Sequence, residues 1–515
     1  MRQIVEVVLF AAFFAGNILS ANSQEISFDK NNQTDFIPSS NVFKFGNKYI
    51  SFAQGEVKNQ MGRFKLSKEK FQLSLYMQDR QMKLIGSIPL SNDERIYGPF
   101  DASLQQINNK LYLVYFQMAE GDDAGPIHIM AGEVDTVNLG LKNPKEILTV
   151  DYKKRPSVFI VANTLSTDRL RITQSPDKSK ILVAWASGNE NKYFYSVLDL
   201  QMNSLWSKAG TVGNDPELKA FLSGSCVDNS ENVYLGFTGK IETGPENGHV
   251  VVCTRSNNGK DLIMPIPDGQ AAEVHCISSN DKTVKIVGAY HVNSPNLTGV
   301  FSASLKVTDN KISGVKLTPF TPEFLSDLKN EEWEWSFTKG KYIGMVDCLE
   351  SDTYALEDGS IQMAGQLYRY HSTSSSGYFI RGSIISIWFK NGETTITRIP
   401  RYSSYALNDF ANGFFIAIKK DQSIIFVNEL KQNLDGKHTF KYETHTSEDI
   451  VLCAITIADG KVVKKEMVTD LQNENMVAIP RFAAIVSDNE VMIPFQKLKK
   501  FGRSEKVGKG VFVKF

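Results

Sequence analysis

The hydrophobic and polar positions of this chain repeat in groups of four short, strand-like runs. The clearest group spans residues 169–212 and reads RLRITQSPD, KSKILVAWASGN, KYFYSVLDLQMN and SLWSKAGTV. Each run is strand-sized, with alternating or continuous apolar residues, and turn residues such as Ser175-Pro176-Asp177 separate the runs. One group therefore predicts a sheet of four antiparallel strands.

The second and most apolar run of this group recurs eight times along the chain. The copies are YISF from Tyr49, LYLVYF from Leu111, ILVAW from Ile181, VYLGF from Val233, VKIVGAY from Val284, IQMAG from Ile361, IIFVNEL from Ile424 and VMIPF from Val491. Each follows a turn pair that tolerates positive φ. These pairs are Gly46-Asn47, Asn108-Asn109, Pro176-Asp177, Asp228-Asn229, Asn280-Asp281, Asp358-Gly359, Asp421-Gln422 and Asp488-Asn489.

A single such sheet cannot bury both of its faces, whereas copies packed around a ring can, and the ring also protects the sheet edges. The pattern therefore predicts an all-β fold, a β-propeller of four-stranded antiparallel blades. We expect eight blades. Seven blades is the alternative, because residues 320–356 form an irregular insertion, and tandem β-sandwiches are the structural alternative.

The two chain termini predict how the ring closes. The last copy has three strands and ends at Phe515, so its fourth strand is missing. The alternating segment Glu25-Ile26-Ser27-Phe28 can supply it by pairing with Gly510 to Phe515. We therefore expect a ring closed by an N-terminal strand at 25–28, within one propeller domain over residues 24–515.

The first 23 residues have the layout of a signal peptide. The apolar run VVLFAAFFAG from Val7 is too short to span a bilayer, and Ala21 and Ser23 provide small residues before a cleavage site at Gln24. We expect a secreted or periplasmic protein with no other membrane segment. Five cysteines lie in apolar strand-like runs, which favours buried free thiols over disulfides: Cys226, Cys253, Cys276, Cys348 and Cys453.

Turns after the third strand carry a further motif, in Ala458-Asp459-Gly460-Lys461 and Lys390-Asn391-Gly392. With an Asp-Gly or Asn-Gly turn before the hydrophobic strand, the mature chain resembles the poorly characterised, secreted bacterial β-propeller-like repeat proteins, with an architecture like that of WD40 and YVTN propellers. The Asp-box, Trp-Asp, Kelch and YWTD signatures are missing. The resemblance thus implies a β-propeller fold and secretion, and it assigns no catalytic residue.

The net charge and the motifs of the chain limit the classes of partner and cofactor that are expected. Lys plus Arg and Asp plus Glu both number 57, so no net charge attracts nucleic acid. The seven histidines lack zinc-ligand spacing, and phosphate-binding and dinucleotide-binding motifs are absent. We expect no metal, no cofactor and a monomer that binds a protein segment or a glycan.

Candidate site residues come from the longer connections of the propeller, which we expect to open on one face and which include Thr238 to Gly248 and Tyr368 to Gly382. Binding residues are predicted there, where cations and aromatic rings collect: Arg401, Arg481, Tyr402, Tyr370, His371 and Trp335. The sequence favours a binding or interaction protein. The alternative is a propeller hydrolase or lyase acting on polysaccharide or peptide, with Asp93, Glu94 or Glu334 as acid or base.

Overall fold

The fold was analysed in a computed structural model of the full chain. The structure describes the following residues: 42–46, 48–54, 73–79, 84–89, 95–96, 102–118, 126–151, 170–187, 191–213, 218–240, 246–256, 259–267, 269–280, 283–292, 297–324, 348–372, 377–400, 413–431, 434, 450–469, 476–480, 483–498 and 504–515.

The first four blades are antiparallel sheets built in chain order. Blade 1 contains β1 (Val42–Phe45), β2 (Lys48–Gln54), β3 (Leu73–Asp79) and β4 (Leu84–Pro89). Blade 2 contains β5 (Arg95–Ile96), β6 (Ala102–Ile107), β7 (Lys110–Met118), β8 (Ile127–Val134) and β9 (Leu141–Val150). Blade 3 contains β10 (Arg171–Gln174), β11 (Ile181–Ser187), β12 (Lys192–Leu198) and β13 (Ser204–Thr211). Blade 4 contains β14 (Lys219–Val227), β15 (Val233–Lys240), β16 (Glu246–Cys253) and β17 (Lys260–Ile263).

The last four blades repeat this order, except that blade 8 has no fourth strand among the described residues. Blade 5 contains β18 (Gln270–Ala271), β19 (His275–Asn280), β20 (Thr283–His291), β21 (Leu297–Lys306) and β22 (Lys311–Pro319). Blade 6 contains β23 (Cys348–Ala355), β24 (Ile361–Ser372), β25 (Gly377–Lys390) and β26 (Glu393–Ile399). Blade 7 contains β27 (Phe414–Lys419), β28 (Gln422–Leu430), β29 (Ile450–Ala458) and β30 (Lys461–Thr469). Blade 8 contains β31 (Met476–Ala478), β32 (Ala484–Ser487), β33 (Glu490–Leu498) and β34 (Ser504–Lys514). In blade 8, β31 and β32 both pair with one side of β33, and β34 pairs with the other.

The eight sheets form a closed ring. First strands of neighbouring blades contact one another, as β10 contacts β14 and β14 contacts β19, which places the first strands innermost. The ring closes because β32 of blade 8 contacts β1 of blade 1. Lys44 Nζ lies 3.8 Å from Glu490 Oε2 across this junction, and the rings of Tyr49 and Phe512 pack with centroids 5.2 Å apart.

The hydrophobic core lies between blades. Seven clusters of buried side chains each draw on two consecutive blades, from the blade 1–2 junction to the blade 7–8 junction. At the blade 3–4 junction, for example, Val197 and Tyr195 pack with Leu235 and Phe237, all nearly inaccessible to solvent. Burying a side chain of this size stabilises the fold by about 1.5–3 kcal/mol. The second and third strands are apolar on both faces, and each face therefore packs against a neighbouring blade.

The structure confirms eight blades and corrects several local predictions. Residues 348–355, predicted to belong to an irregular insertion, form β23, the first strand of blade 6. Positive φ occurs at the predicted turns Gly46, Asn108, Asn109 and Gly359, but in three other turns it falls on a neighbouring residue. These three residues are Lys178, Glu231 and Lys420.

Four of the five cysteines are buried free thiols, as predicted: Cys226, Cys253, Cys276 and Cys453. Cys348 lies in β23. The signal peptide at 1–23 and the closing strand at 25–28 lie outside the described residues and stay predictions. Within the described ranges, no helix has the length and apolar character needed to cross a membrane.

Candidate functional site

The two ends of the blades carry connections of different length. Connections from first to second and from third to fourth strands lie at one end, which we call the plain face. They are short throughout, as at residues 108–109, 391–392 and 459–460. The opposite end, the long-loop face, carries every long connection: residues 55–72, 119–126, 151–170, 320–347, 400–413 and 431–449. A rigid ring with one elaborated face is the usual arrangement for a binding surface.

Two of the predicted long loops are shorter than expected because their strands extend. β15 runs to Lys240 and β16 begins at Glu246, so much of the segment from Thr238 to Gly248 is strand. β24 and β25 leave only residues 373–376 between them. The prediction that Tyr370 and His371 open a loop is therefore wrong: both lie in β24, paired with Phe379 and Tyr378.

Charged side chains on the plain face connect one blade to the next. Three lysines in fourth strands donate to a backbone carbonyl in the third-to-fourth turn of the following blade. Lys145 Nζ lies 2.6 Å from Gln201 O, Lys208 Nζ lies 3.0 Å from Thr254 O, and Lys316 Nζ lies 2.7 Å from Gly392 O. Thr397 Oγ1 makes the same connection from blade 6 to Gly460 O in blade 7. These side chains hold the ring together.

Short interruptions divide the innermost strand of three blades near the long-loop face. In blade 5 the interruption separates β18 from β19, and the amides of Ala272 and Glu273 both donate to Ala289 O, at 2.8 and 3.3 Å. Gly288 makes room for it, because a Cβ there would lie 1.9 Å from Glu273 O. β5 and β6 in blade 2, and β31 and β32 in blade 8, are divided in the same way. Such irregularities redirect side chains at the rims of sheets.

The interruption in blade 5 brings ionisable groups to the start of the innermost strand. Glu273 Oε2 lies 3.5 Å from His275 Nε2, and the His275 side chain is almost fully buried. In the two preceding blades, Arg171 begins β10 and Lys219 begins β14 at the same end, and an Arg171 terminal nitrogen donates to Ser223 O at 2.9 Å. Acidic and basic residues of three consecutive blades thus lie at the long-loop end of the innermost strands.

Most of the predicted site residues lie outside the described residues: Arg401, Arg481, Tyr402 and Trp335, together with the alternative acid–base residues Asp93, Glu94 and Glu334. Their grouping stays a prediction. Glu273 and His275 were missed by sequence reasoning, although one signal was available. Glu273 precedes β19 in the sequence, as Arg481 precedes β32. The position of Glu273, however, depends on the interruption between β18 and β19, which local periodicity does not reveal.

The sheet order and the contacts that close the ring define the class of this protein, an eight-bladed β-propeller. No protein-family model and no curated protein matches the chain. The β-propeller part of the predicted resemblance is therefore confirmed, and the link to secreted bacterial repeat proteins stays a prediction.

Three solved structures illustrate the similarity to known proteins. The β-propeller domain of the Trilobed protease from Pyrococcus furiosus is 10% identical with a TM-score of 0.35, covering 85% of this chain and 97% of that chain. Kuenenia stuttgartiensis hydrazine synthase is 13% identical with a TM-score of 0.37, and the match covers 83% of this chain and 97% of that chain. The polysaccharide lyase Uly1 is 11% identical with a TM-score of 0.33, covering 78% and 88%. At these values the similarity carries no conclusion about activity.

Proposed function

We propose that this propeller is a secreted or periplasmic binding protein that recognises a protein segment or a glycan on its long-loop face. The observation that carries the proposal is the inequality of the two faces. Between the strands that the structure describes, the long connections open at one end of a closed ring, whereas the connections at the opposite end are short turns. A ring closed on itself supplies a rigid support, and sequence variation in its long connections then determines what is bound.

The electrostatics of the plain face support the same choice. Lys145, Lys208 and Lys316 bond to the following blade there, and Lys390 lies 2.6 Å from Asp459 Oδ1 of blade 7 and 2.8 Å from Asp358 Oδ2 of its own blade. These bonds give the plain face a role in joining the blades.

The channel mouth provides the second support. Ionisable side chains begin the innermost strands at the same end as the long connections, and Glu273 and Arg171 are both held by neighbouring groups. The predicted Arg401 and Arg481 lie outside the described residues and precede β27 and β32 in the sequence. A mouth with both charge types suits a ligand that presents carboxylates and hydrogen-bond donors together.

The test uses a glycan array and a peptide array probed with the labelled full-length protein, followed by calorimetric titration of the strongest ligand. The double variant Arg401→Met/Arg481→Met keeps the side-chain stems and removes both charges. We expect it to weaken binding at least tenfold while the melting temperature stays unchanged. Arg255→Met is the matched control, because Arg255 is an exposed plain-face arginine paired with Glu231 at 2.6 Å.

Two results would contradict the proposal. If neither array yields a ligand, the protein does not have the proposed binding function. If Arg255→Met weakens binding and the double variant does not, the ligand binds the plain face.

A further inference from the structure

A pocket of about 420 Å³ lies in the side wall of the propeller, between the outer strands of blades 3 and 4. We call it the side-wall pocket. It is lined by Tyr193, Lys208, Ala209, Gly210, Thr211, Val251, Gly259 and Asp261. β13, which supplies four of these residues, is the outer edge strand of blade 3. Among the described strands β13 has a neighbour on its β12 side only, and an edge strand can present backbone donors and acceptors to a ligand.

The Asp261 carboxylate is held in a fixed position at this pocket. His249 Nδ1 lies 3.0 Å from both carboxylate oxygens, and the Gly213 amide donates to Asp261 Oδ2 at 2.8 Å. The His249 side chain is almost fully buried, whereas a quarter of the Asp261 side chain is exposed. A carboxylate has about four acceptor positions, so these two donors leave capacity on the exposed side.

The position of His249 destabilises the fold. Its Nε2 is buried and has no hydrogen-bond partner among the described residues. Gly239 and Leu218 enclose it, since a Cβ on Gly239 would lie 3.3 Å from Nε2 and 2.6 Å from Leu218 Cδ1. A buried polar atom without a partner costs about 1–3 kcal/mol. An unsatisfied imidazole whose other nitrogen orients a partly exposed carboxylate is typical of a functional site.

Glycine and tyrosine shape the inner wall. A Cβ on Gly210 would lie 2.4 Å from the Tyr193 hydroxyl, and one on Gly259 would lie 2.5 Å from it. Both positions therefore exclude larger residues. Burial, with Cys253 and Asp261 nearby, raises the pKa of Tyr193 far above its usual value. Burial likewise raises the pKa of Cys253. Both groups stay protonated at neutral pH, so the pocket contains no thiolate nucleophile.

The charges of the lining determine the class of ligand. Asp261 is the acidic lining residue and Lys208 the basic one, so their charges balance and the pocket favours neither a cation nor an anion. Its volume is near the lower end of the range for small-molecule pockets. A neutral molecule with several hydroxyl groups satisfies these conditions, because hydroxyls can donate to a fixed carboxylate and accept from backbone amides.

We infer that the side-wall pocket binds a single neutral saccharide unit, with Asp261 accepting hydrogen bonds from its hydroxyl groups and His249 acting as the positioning residue. This site is separate from the long-loop face and does not depend on the function proposed for that face. No covalent chemistry is involved.

The experiment titrates the full-length protein with the methyl glycosides of glucose, galactose and mannose, by saturation-transfer NMR and calorimetry. Methylammonium and acetate serve as cationic and anionic probes. We expect at least one hexoside to bind in the millimolar range. Asp261→Asn should weaken this binding about 10- to 150-fold, because a bond to a charged acceptor contributes about 1.5–3 kcal/mol. Asp309→Asn, at the exposed turn between β21 and β22, is the control and should leave binding unchanged.

A second variant protects the test against a folding defect. Thr211 is exposed at the rim of the pocket, so Thr211→Phe should obstruct the pocket and weaken hexoside binding without unfolding the ring. The inference is overturned if no hexoside binds, if only methylammonium or acetate binds, or if both variants bind hexoside as the unmodified protein does.

Discussion

Replacing Ser223 by alanine tests how the blades are joined, because one hydroxyl connects blades 4 and 5. Ser223 falls at a register shift in β14, between the pairs Leu222–Phe237 and Gly224–Gly236. Its Oγ donates to Val274 O at 2.9 Å and accepts from the Val274 amide at 3.1 Å. Val274 is completely buried, in the interruption between β18 and β19. Removing the hydroxyl leaves both backbone groups of Val274 without this partner.

The size of the effect follows from that geometry. An unsatisfied buried amide costs about 1–3 kcal/mol, and the lost bond to the carbonyl adds to this. We expect Ser223→Ala to destabilise the protein by about 2–3 kcal/mol. Differential scanning calorimetry should show a decrease of about 2–3 °C, because a cooperative unit of this size has a large unfolding entropy. Hydrogen exchange is the sharper assay, and the Val274 amide should exchange roughly 30-fold faster or more.

Ser225→Ala is the matched control for this prediction. Ser225 lies two residues further along β14, and its buried hydroxyl has no hydrogen-bond partner among the described residues. Removing that hydroxyl should be neutral or slightly stabilising, since an unsatisfied polar group is lost. Equal destabilisation by the two variants, or no effect of Ser223→Ala, would refute the assignment of Ser223 as a connection between blades.

Three further predictions concern the ring. Lys316→Met should lower stability by about 0.5–1 kcal/mol in thermal unfolding, because it removes the bond to blade 6, whereas the exposed Lys311→Met in the same strand should not. Lys390 and Ser360 lower the pKa of Asp358 to about 2, so the stability they contribute is present above pH 4 and lost as pH falls through 2. The melting temperature of Lys390→Met should therefore fall less steeply than that of the unmodified protein between pH 4 and 2, and parallel curves would contradict this. Trimming the mature N-terminus past Phe28 should lower the melting temperature by several degrees if residues 25–28 pair with β34, and unchanged melting would count against that closure.

The sequence by itself predicted most of the strands, their order and eight blades, with seven blades left as the alternative. A period of two places alternate residues on opposite faces of a strand, so runs such as ILVAW from Ile181 are recognisable without knowledge of their neighbours. Tight turns are equally local, because Asn108 and Asn109 take up positive φ through their own short side chains. The buried free cysteines followed from the same apolar runs.

The tertiary structure alone decided how far strands extend and what joins the blades. β24 and β25 continue through the segment predicted as a loop around Tyr370, because each supplies the other with ladder hydrogen bonds as far as the pair Ser372–Gly377. That choice depends on cross-strand pairing and not on the local composition, which is polar and typical of a loop.

The candidate sites belong to the same category. Ser223 meets Val274, and Lys208 meets Thr254, over separations of about fifty residues, and the side-wall pocket forms where two such separated strands converge. Local patterns specify each strand and turn within one blade. Contacts between blades appear only when the ring closes, because closure brings each blade's side chains against the next blade with a rotation and offset that no single repeat encodes.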